Sequence, residues 1–136
     1  SFLHCKNLEN LVAAFEKFPD CTLTMVGYGE LEAKLRAVSP KNVKFTGGVE
    51  NARLPDYYRQ NDVFILPSFS EPWGLVVEEA LNNGLPVIIS ENVGCDGEVV
   101  ADGVKELFLG FRIKTPSQRR YRRFVSLRFI IKSRRI

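Results

Sequence analysis

Two carboxylates stand eight positions apart in "SEPWGLVVEEALNNGLPV", residues 70–87, with Glu71 before a Pro-Trp-Gly corner and Glu79 inside an apolar, helix-like stretch. Ionised carboxylates accept hydrogen bonds and donate none, so such a pair suits hydroxyl-rich ligands such as sugars. The intervening residues add a second kind of chemistry. Ser68, Ser70 and Glu71 follow an apolar run, Pro72 pre-sets the entry to a helix, and the amides near Trp73, Gly74 and Leu75 lie where a helix N-terminus leaves N–H groups unpaired. Those amides carry partial positive charge and suit a phosphate or a departing oxyanion, and Gly74 removes the side chain that would block its approach. About 100° of rotation per residue puts Val76, Val77, Ala80 and Leu81 on one helix face and sends Glu78 and Glu79 to opposite edges of it. Periodicity alone does not choose between those two, and a solvated helix edge accounts equally for either.

The elements that must position these groups alternate along the chain. "KNLENLVAAFEKF" spaces Leu8, Leu11, Val12, Phe15 and Phe18 at steps of three and four and predicts an amphipathic helix. "CTLTMV" predicts a strand, "ELEAKLRAV" a helix, "NVKFTGG" a strand, "RLPDYYRQN" a short helix and "DVFILPS" a strand. "GLVVEEALNN" predicts a helix closed by Gly84, and "PVIIS" a strand opened by Pro86. "DGEVVADG" reads as a last helical turn and "ELFLGF" as a further strand. Short strands between helices, some apolar throughout, predict an α/β, Rossmann-like parallel sheet with helices on both faces. Ligands of such sheets bind beyond the carboxyl ends of the strands. Three loops are therefore candidates: 27–30, 47–51 and 67–74. In the first, Gly27 and Gly29 suit a tight turn as well as a phosphate cradle. In the second, Gly47 and Gly48 permit a flat ring to approach the backbone, although a turn uses them equally.

Composition bounds the remaining classes. The 136 residues are 45% hydrophobic and 26% charged, which suits one soluble domain with one core. No stretch reaches the roughly 18 to 20 apolar residues of a membrane span, and no basic start with an apolar secretory core opens the chain, so it reads as intracellular. Cys5, Cys21 and Cys95 form no Cys-x-x-Cys and find only one histidine, His4, which points to reduced, mostly buried thiols and no metal site. Charge is divided unevenly. Residues 1–110 carry nine basic and 16 acidic groups, net −7, whereas residues 111–136 carry ten basic and no acidic groups, net +10. That segment, "FRIKTPSQRRYRRFVSLRFIIKSRRI", mixes arginines with Tyr121, Phe124, Leu127, Phe129, Ile130 and Ile131 without helical or strand periodicity. It is read as a basic tail behind a domain spanning 1–110, and on charge alone it would suit nucleic acid or an anionic membrane.

The segments "KNLENLVAAF", "VGYGELEAKL", "VKFTGGVEN", "LPDYY", "DVFILPSFSEPWGLVVEEALNNGLPVI" and "NVGCDGEVVADG" together resemble the C-terminal, nucleotide-sugar-binding half of a family 4 glycosyltransferase, of GT-B architecture. The likeness runs in order from Phe2 to Gly103, and the Glu71-to-Glu79 element is its most specific part. The resemblance implies that Glu71 meets the donor sugar, Glu79 holds the ribose hydroxyls and Lys6 contacts the diphosphate. It further implies that Gly48 and Val49 border the nucleobase, that Trp73, Gly74 and Leu75 offer amides to the phosphates, and that Gly27 lines the site. The implied reaction is transfer of a sugar from a UDP- or GDP-sugar to a glycan or lipid-linked acceptor, with retention of configuration and no metal or other cofactor. It belongs to polysaccharide biosynthesis in the cytoplasm, with peripheral attachment to the inner face of the cell membrane left open.

The chain departs from the family in three ways. The arginine that usually precedes the lysine falls near Ser1. The acceptor-binding N-terminal half does not fit in 136 residues, so the chain is expected to transfer little by itself. After Gly103 the sequence leaves the family pattern, and a truncated or altered reading frame is the expectation for the tail. Glycoside hydrolysis also uses paired carboxylates. However, Lys6 and the helix-terminus loop fit a phosphorylated donor better. A basic nucleic-acid or membrane module is the alternative from another class.

Overall fold

The computed structural model describes residues 7–68, 75–90, 106–108, 111–114 and 128–132. Helix α1 (Leu8–Ala14) runs into a 3-10 turn at Phe15–Lys17 and is followed by β1 (Thr22–Val26), α2 (Glu32–Val38) and β2 (Val43–Gly47). A 3-10 turn at Asn51–Arg53 leads into α3 (Leu54–Arg59), then β3 (Val63–Leu66), α4 (Leu75–Asn82) and β4 (Val87–Ile89). Three further strands follow: β5 (Glu106–Phe108), β6 (Phe111–Lys114) and β7 (Arg128–Lys132). The helix and strand positions expected from "KNLENL" through "PVIIS" are therefore all occupied. The turn expected from "DGEVVADG" lies outside the described residues. Gly84 closes α4 at φ 76°, a left-handed conformation that costs glycine little.

The seven strands of the described residues form one sheet in the order β2-β1-β7-β3-β4-β6-β5. The five from β2 to β4 are parallel, and β6 and β5 extend the edge beyond β4 as an antiparallel hairpin. This is the Rossmann-like α/β architecture that the alternation predicts. Residues 111–136, which show no period in sequence, contribute both β6 and the central strand β7.

The core accounts for the apolar run of β7. Along the strand, Phe129 and Ile131 point to the cluster built by Leu8, Leu11, Val12 and Phe15 of the first helical segment and Leu35 of α2. Ile130 points to the opposite cluster with Leu54 and Tyr58 of α3 and Val76, Val77 and Ala80 of α4. All three are at most 2% exposed. A strand buried on both faces shows a continuous apolar run in place of alternation. The same holds for β3, where Val63 and Ile65 face the first cluster and Phe64 and Leu66 the second.

Polar contacts fasten the amino ends of the strands. Asn42 Nδ2 donates to the carbonyls of Phe15, Phe18 and Cys21 at 2.9–3.0 Å, tying the end of the first helical segment to the start of β2. The backbone N–H of Arg128 donates to Asp62 Oδ2 at 2.8 Å, and its guanidinium grips both carboxylate oxygens of Asp62 at 2.9 and 3.0 Å. Phe15 meets Phe129 edge to face, with ring centroids 5.4 Å apart. Because Phe129 sits near the amino end of β7, this contact places the end of the α1 segment there and turns the start of α1 toward the carboxyl edge.

Two outcomes follow from these contacts. Phe129→Ala removes a ring packed inside the sheet and is expected to cost about 3–5 kcal/mol, read as a lower urea midpoint. An unchanged midpoint would mean that β7 is no part of the core. The Arg128 guanidinium, through its hydrogen bond, holds the Asp62 carboxyl below its ordinary pKa. A depressed folded-state pKa stabilises the fold above the unfolded carboxylate value of about 3.9, and that contribution is lost as pH falls through the folded value. Asp62→Asn should therefore lower the urea midpoint at pH 6, and the gap to wild type should close as the pH approaches 3.

Candidate functional site

The carboxyl edge of the sheet gathers the candidate groups that the structure describes. The chain builds β1 and then β2 to one side of the β7 position, and β3 and then β4 to the other. The order reverses at β7, and in open α/β sheets ligands bind outside the carboxyl ends at such a reversal. Leaving that edge, β1 passes into Gly27 at φ 121°, and Gly27 N donates to the carbonyl of Gly47 at 2.8 Å. Gly47 itself is left-handed, at φ 71°. These glycines draw the first two candidate loops together. A Cβ on Gly48 would lie 3.2 Å from Cε1 and 3.3 Å from Cδ1 of Tyr28, so the Tyr28 ring rests over the Gly48 backbone. A flat ring does approach this glycine, and it belongs to the chain itself. Val49, next along, packs against the cluster on the α3/α4 face.

The third loop leads into α4. Leu75 is its first residue and is exposed, while Val76, Val77 and Ala80 are buried in the core. Glu79 lies between the buried face and solvent, and its Oε2 accepts from Tyr58 Oη at 3.2 Å and from Lys132 Nζ at 2.6 Å. The carboxylate side chain is 32% exposed and the lysine 12%. Helical periodicity treats Glu78 and Glu79 alike, but Glu79 is the one that meets α3 and β7. Asn83 Nδ2 donates to the Glu79 carbonyl at 2.8 Å and helps to close the helix. Ser68, at the exit of β3, is fully buried. Its carbonyl accepts from Ser90 Oγ, and among the described residues its own Oγ has no partner.

The structure thus brings together Gly27, Gly48, Val49, Leu75 and Glu79 at one edge. Glu71, Lys6, Trp73 and Gly74 lie outside the described residues. Asn7, immediately after Lys6, is left-handed at φ 57°, a conformation asparagine tolerates better than most residues, and its Oδ1 accepts from Asn10 Nδ2 at 2.7 Å. Sequence reasoning missed Tyr58 and Lys132. Tyr58 sits in a short helix with nothing to mark its hydroxyl, and the only sign of Lys132 is a basic residue ending the apolar run "RFIIK".

The family model described as glycosyl transferases group 1 matches residues 1–125. The chain belongs to this family. Among its relatives, the sulfoquinovosyl transferase of Arabidopsis thaliana is 36% identical over 90 residues, 65% of this chain and 18% of the relative. A glycogen synthase of Mycobacterium tuberculosis is 32% identical over 107 residues, 72% of this chain and 26% of the relative. A GDP-mannose-dependent alpha-mannosyltransferase of Mycolicibacterium smegmatis is 37% identical over 89 residues, 65% of this chain and 23% of the relative. The chain thus spans about a fifth to a quarter of the length of these glycosyltransferases.

The two glycine positions separate a strain effect from a packing effect. Gly27→Ala forces a side chain into positive φ and is expected to cost about 1–3 kcal/mol. Gly48→Ala needs only a shift of a few tenths of an ångström by the half-exposed Tyr28 ring and should cost under about 1 kcal/mol while moving the Tyr28 ring resonances. Thermal melts and aromatic NMR spectra of both variants check the order.

Proposed function

We propose that the chain is the nucleotide-sugar-binding half of a family 4, GT-B glycosyltransferase, acting in a larger enzyme that transfers a hexosyl group with retention to a glycan or lipid-linked acceptor. The observation that carries this reading is the place of Glu79. In a chain of the glycosyl transferase group 1 family, its carboxylate stands at the carboxyl edge beside the sheet's reversal point, on the helix that follows β3. Its proposed task is to accept the ribose hydroxyls of the donor. Gly48 and Val49 would border the nucleobase, Gly27 would line the donor site beside them, and the amides of Trp73, Gly74 and Leu75 would receive the diphosphate.

In this reading Glu71 orients the sugar, and Lys6 neutralises the charge that grows on the departing nucleoside diphosphate. Preorganised donors aimed at developing negative charge lower the barrier most where water is excluded, so a lysine and a helix N-terminus suit this leaving group. Carboxylates suit the sugar and ribose hydroxyls for the complementary reason, since they only accept. UDP- and GDP-sugars are the proposed donor classes, the latter matching the GDP-mannose for which the mannosyltransferase relative is named. The reading assigns no metal to the reaction. The acceptor would be held by another domain, so this chain should bind donor and turn over slowly by itself. A cytoplasmic place of action in polysaccharide synthesis, at or near the inner face of the membrane, completes the proposal.

Titration of the chain with UDP, GDP, ADP and their sugar conjugates, followed by backbone amide shifts, tests it. Saturable shifts at Gly48, Leu75 and Glu79 with one base preferred, weakened at least tenfold by Glu79→Gln, are expected. The absence of any nucleotide response, or a response unchanged in Glu79→Gln, would overturn the assignment.

A further inference from the structure

Lys132 reaches the candidate site from a part of the chain that the family match does not cover. The match ends at residue 125, and β7 follows it. Within the sheet, Lys132 is in register with Val26, the last residue of β1 before Gly27. Strand alternation puts its side chain on the same face as Ile130, whose neighbours are Tyr58, Val76, Val77 and Ala80. Both its position along the strand and its side of the sheet therefore direct Nζ to Glu79, 53 residues earlier in sequence, at 2.6 Å.

The contact has the features of a positioning device. The lysine side chain is only 12% exposed, so its long stem is held by packing and does not sweep through solvent. Tyr58 Oη, from α3, shares the same carboxylate oxygen, so donors from two elements act on Glu79 from beyond its own helix. A glutamate on a helix surface samples several rotamers. Two donors on one oxygen select one.

We infer that Lys132 is a positioning residue of the nucleotide site: it holds the Glu79 carboxylate, together with Tyr58, in the orientation that receives the ribose hydroxyls. The site is completed by a strand that comes from the far end of the chain. The inference rests on the reading of Glu79 as the ribose acceptor, and its test separates the two.

The full chain is titrated with UDP and GDP by NMR or calorimetry in four forms: Lys132→Met, Lys132→Arg, Glu79→Gln, and Lys132→Met combined with Glu79→Gln. Lys132→Met should raise Kd about tenfold, Lys132→Arg should recover affinity to within about threefold of wild type, and the double variant should bind no more weakly than Glu79→Gln alone. This non-additivity marks a residue that acts through another. Wild-type affinity in Lys132→Met alongside weakened Glu79→Gln would overturn the inference and leave the site reading standing. Additive losses in the double variant would also overturn it, because Lys132 would then contact the ligand independently. Wild-type affinity in Glu79→Gln would instead overturn the site reading, and the inference with it. Where Lys132→Met gives no folded spectrum, Lys132→Gln, which keeps the stem and removes the charge, takes its place in every arm.

Discussion

The pairing of β7 with both β1 and β3 is the constraint on which the rest of the structure depends. The chain lays β1 and β2 outward in one direction, crosses, and lays β3 and β4 outward in the other, so one strand must join the two halves. β7 does so with parallel registers on each side, Leu23 opposite Phe129 and Phe64 opposite Ile130. Without it, β1 and β3 would each present a row of unpaired backbone groups in the interior, and two hydrophobic clusters would lose the residues that link them. Such pairing between segments 66 residues apart for β3 and 106 for β1 is entropically demanding, and burial of Phe129, Ile130 and Ile131 on both faces supplies the offset.

The two edges of the sheet divide the work. At the amino edge, the Asn42 amide, the Asp62–Arg128 pair and the Phe15–Phe129 contact bind helices and strands into one body. At the carboxyl edge, backbone in positive φ at Gly27 and Gly47 opens room beside the strands, and the polar side chains Glu79, Tyr58 and Lys132 meet. A rigid base beneath a polar, glycine-shaped rim is the arrangement in which a ligand can be held without disturbing the core. β7 takes part in both, with Arg128 at one end and Lys132 at the other.

Membership of the glycosyl transferase group 1 family sets the chemistry within which this rim is interpreted. The relatives include enzymes named for sulfoquinovosyl transfer, glycogen synthesis and mannosyl transfer. One scaffold serving several sugars is expected when the sheet supplies the general geometry and the loops at its carboxyl edge set the specificity.

The sequence by itself determined the α/β alternation, because each early segment carries its own period: the Leu8-to-Phe18 stripe, the apolar run Val63 to Leu66, the α4 face with Gly84 behind it. It also marked Glu71, Glu78 and Glu79 as carboxylates around a helix entry, a local pattern, while only the resemblance to a glycosyltransferase preferred Glu79 to Glu78. Only the tertiary structure decided where "RFIIK" belongs, because its apolar run is set among arginines and its partners lie far away in sequence. Nor could periodicity bring Tyr58 and Lys132 to Glu79 in preference to Glu78. That pairing depends on strand order and register, which arise when β7 enters the middle of the sheet and are written in no single stretch of the chain.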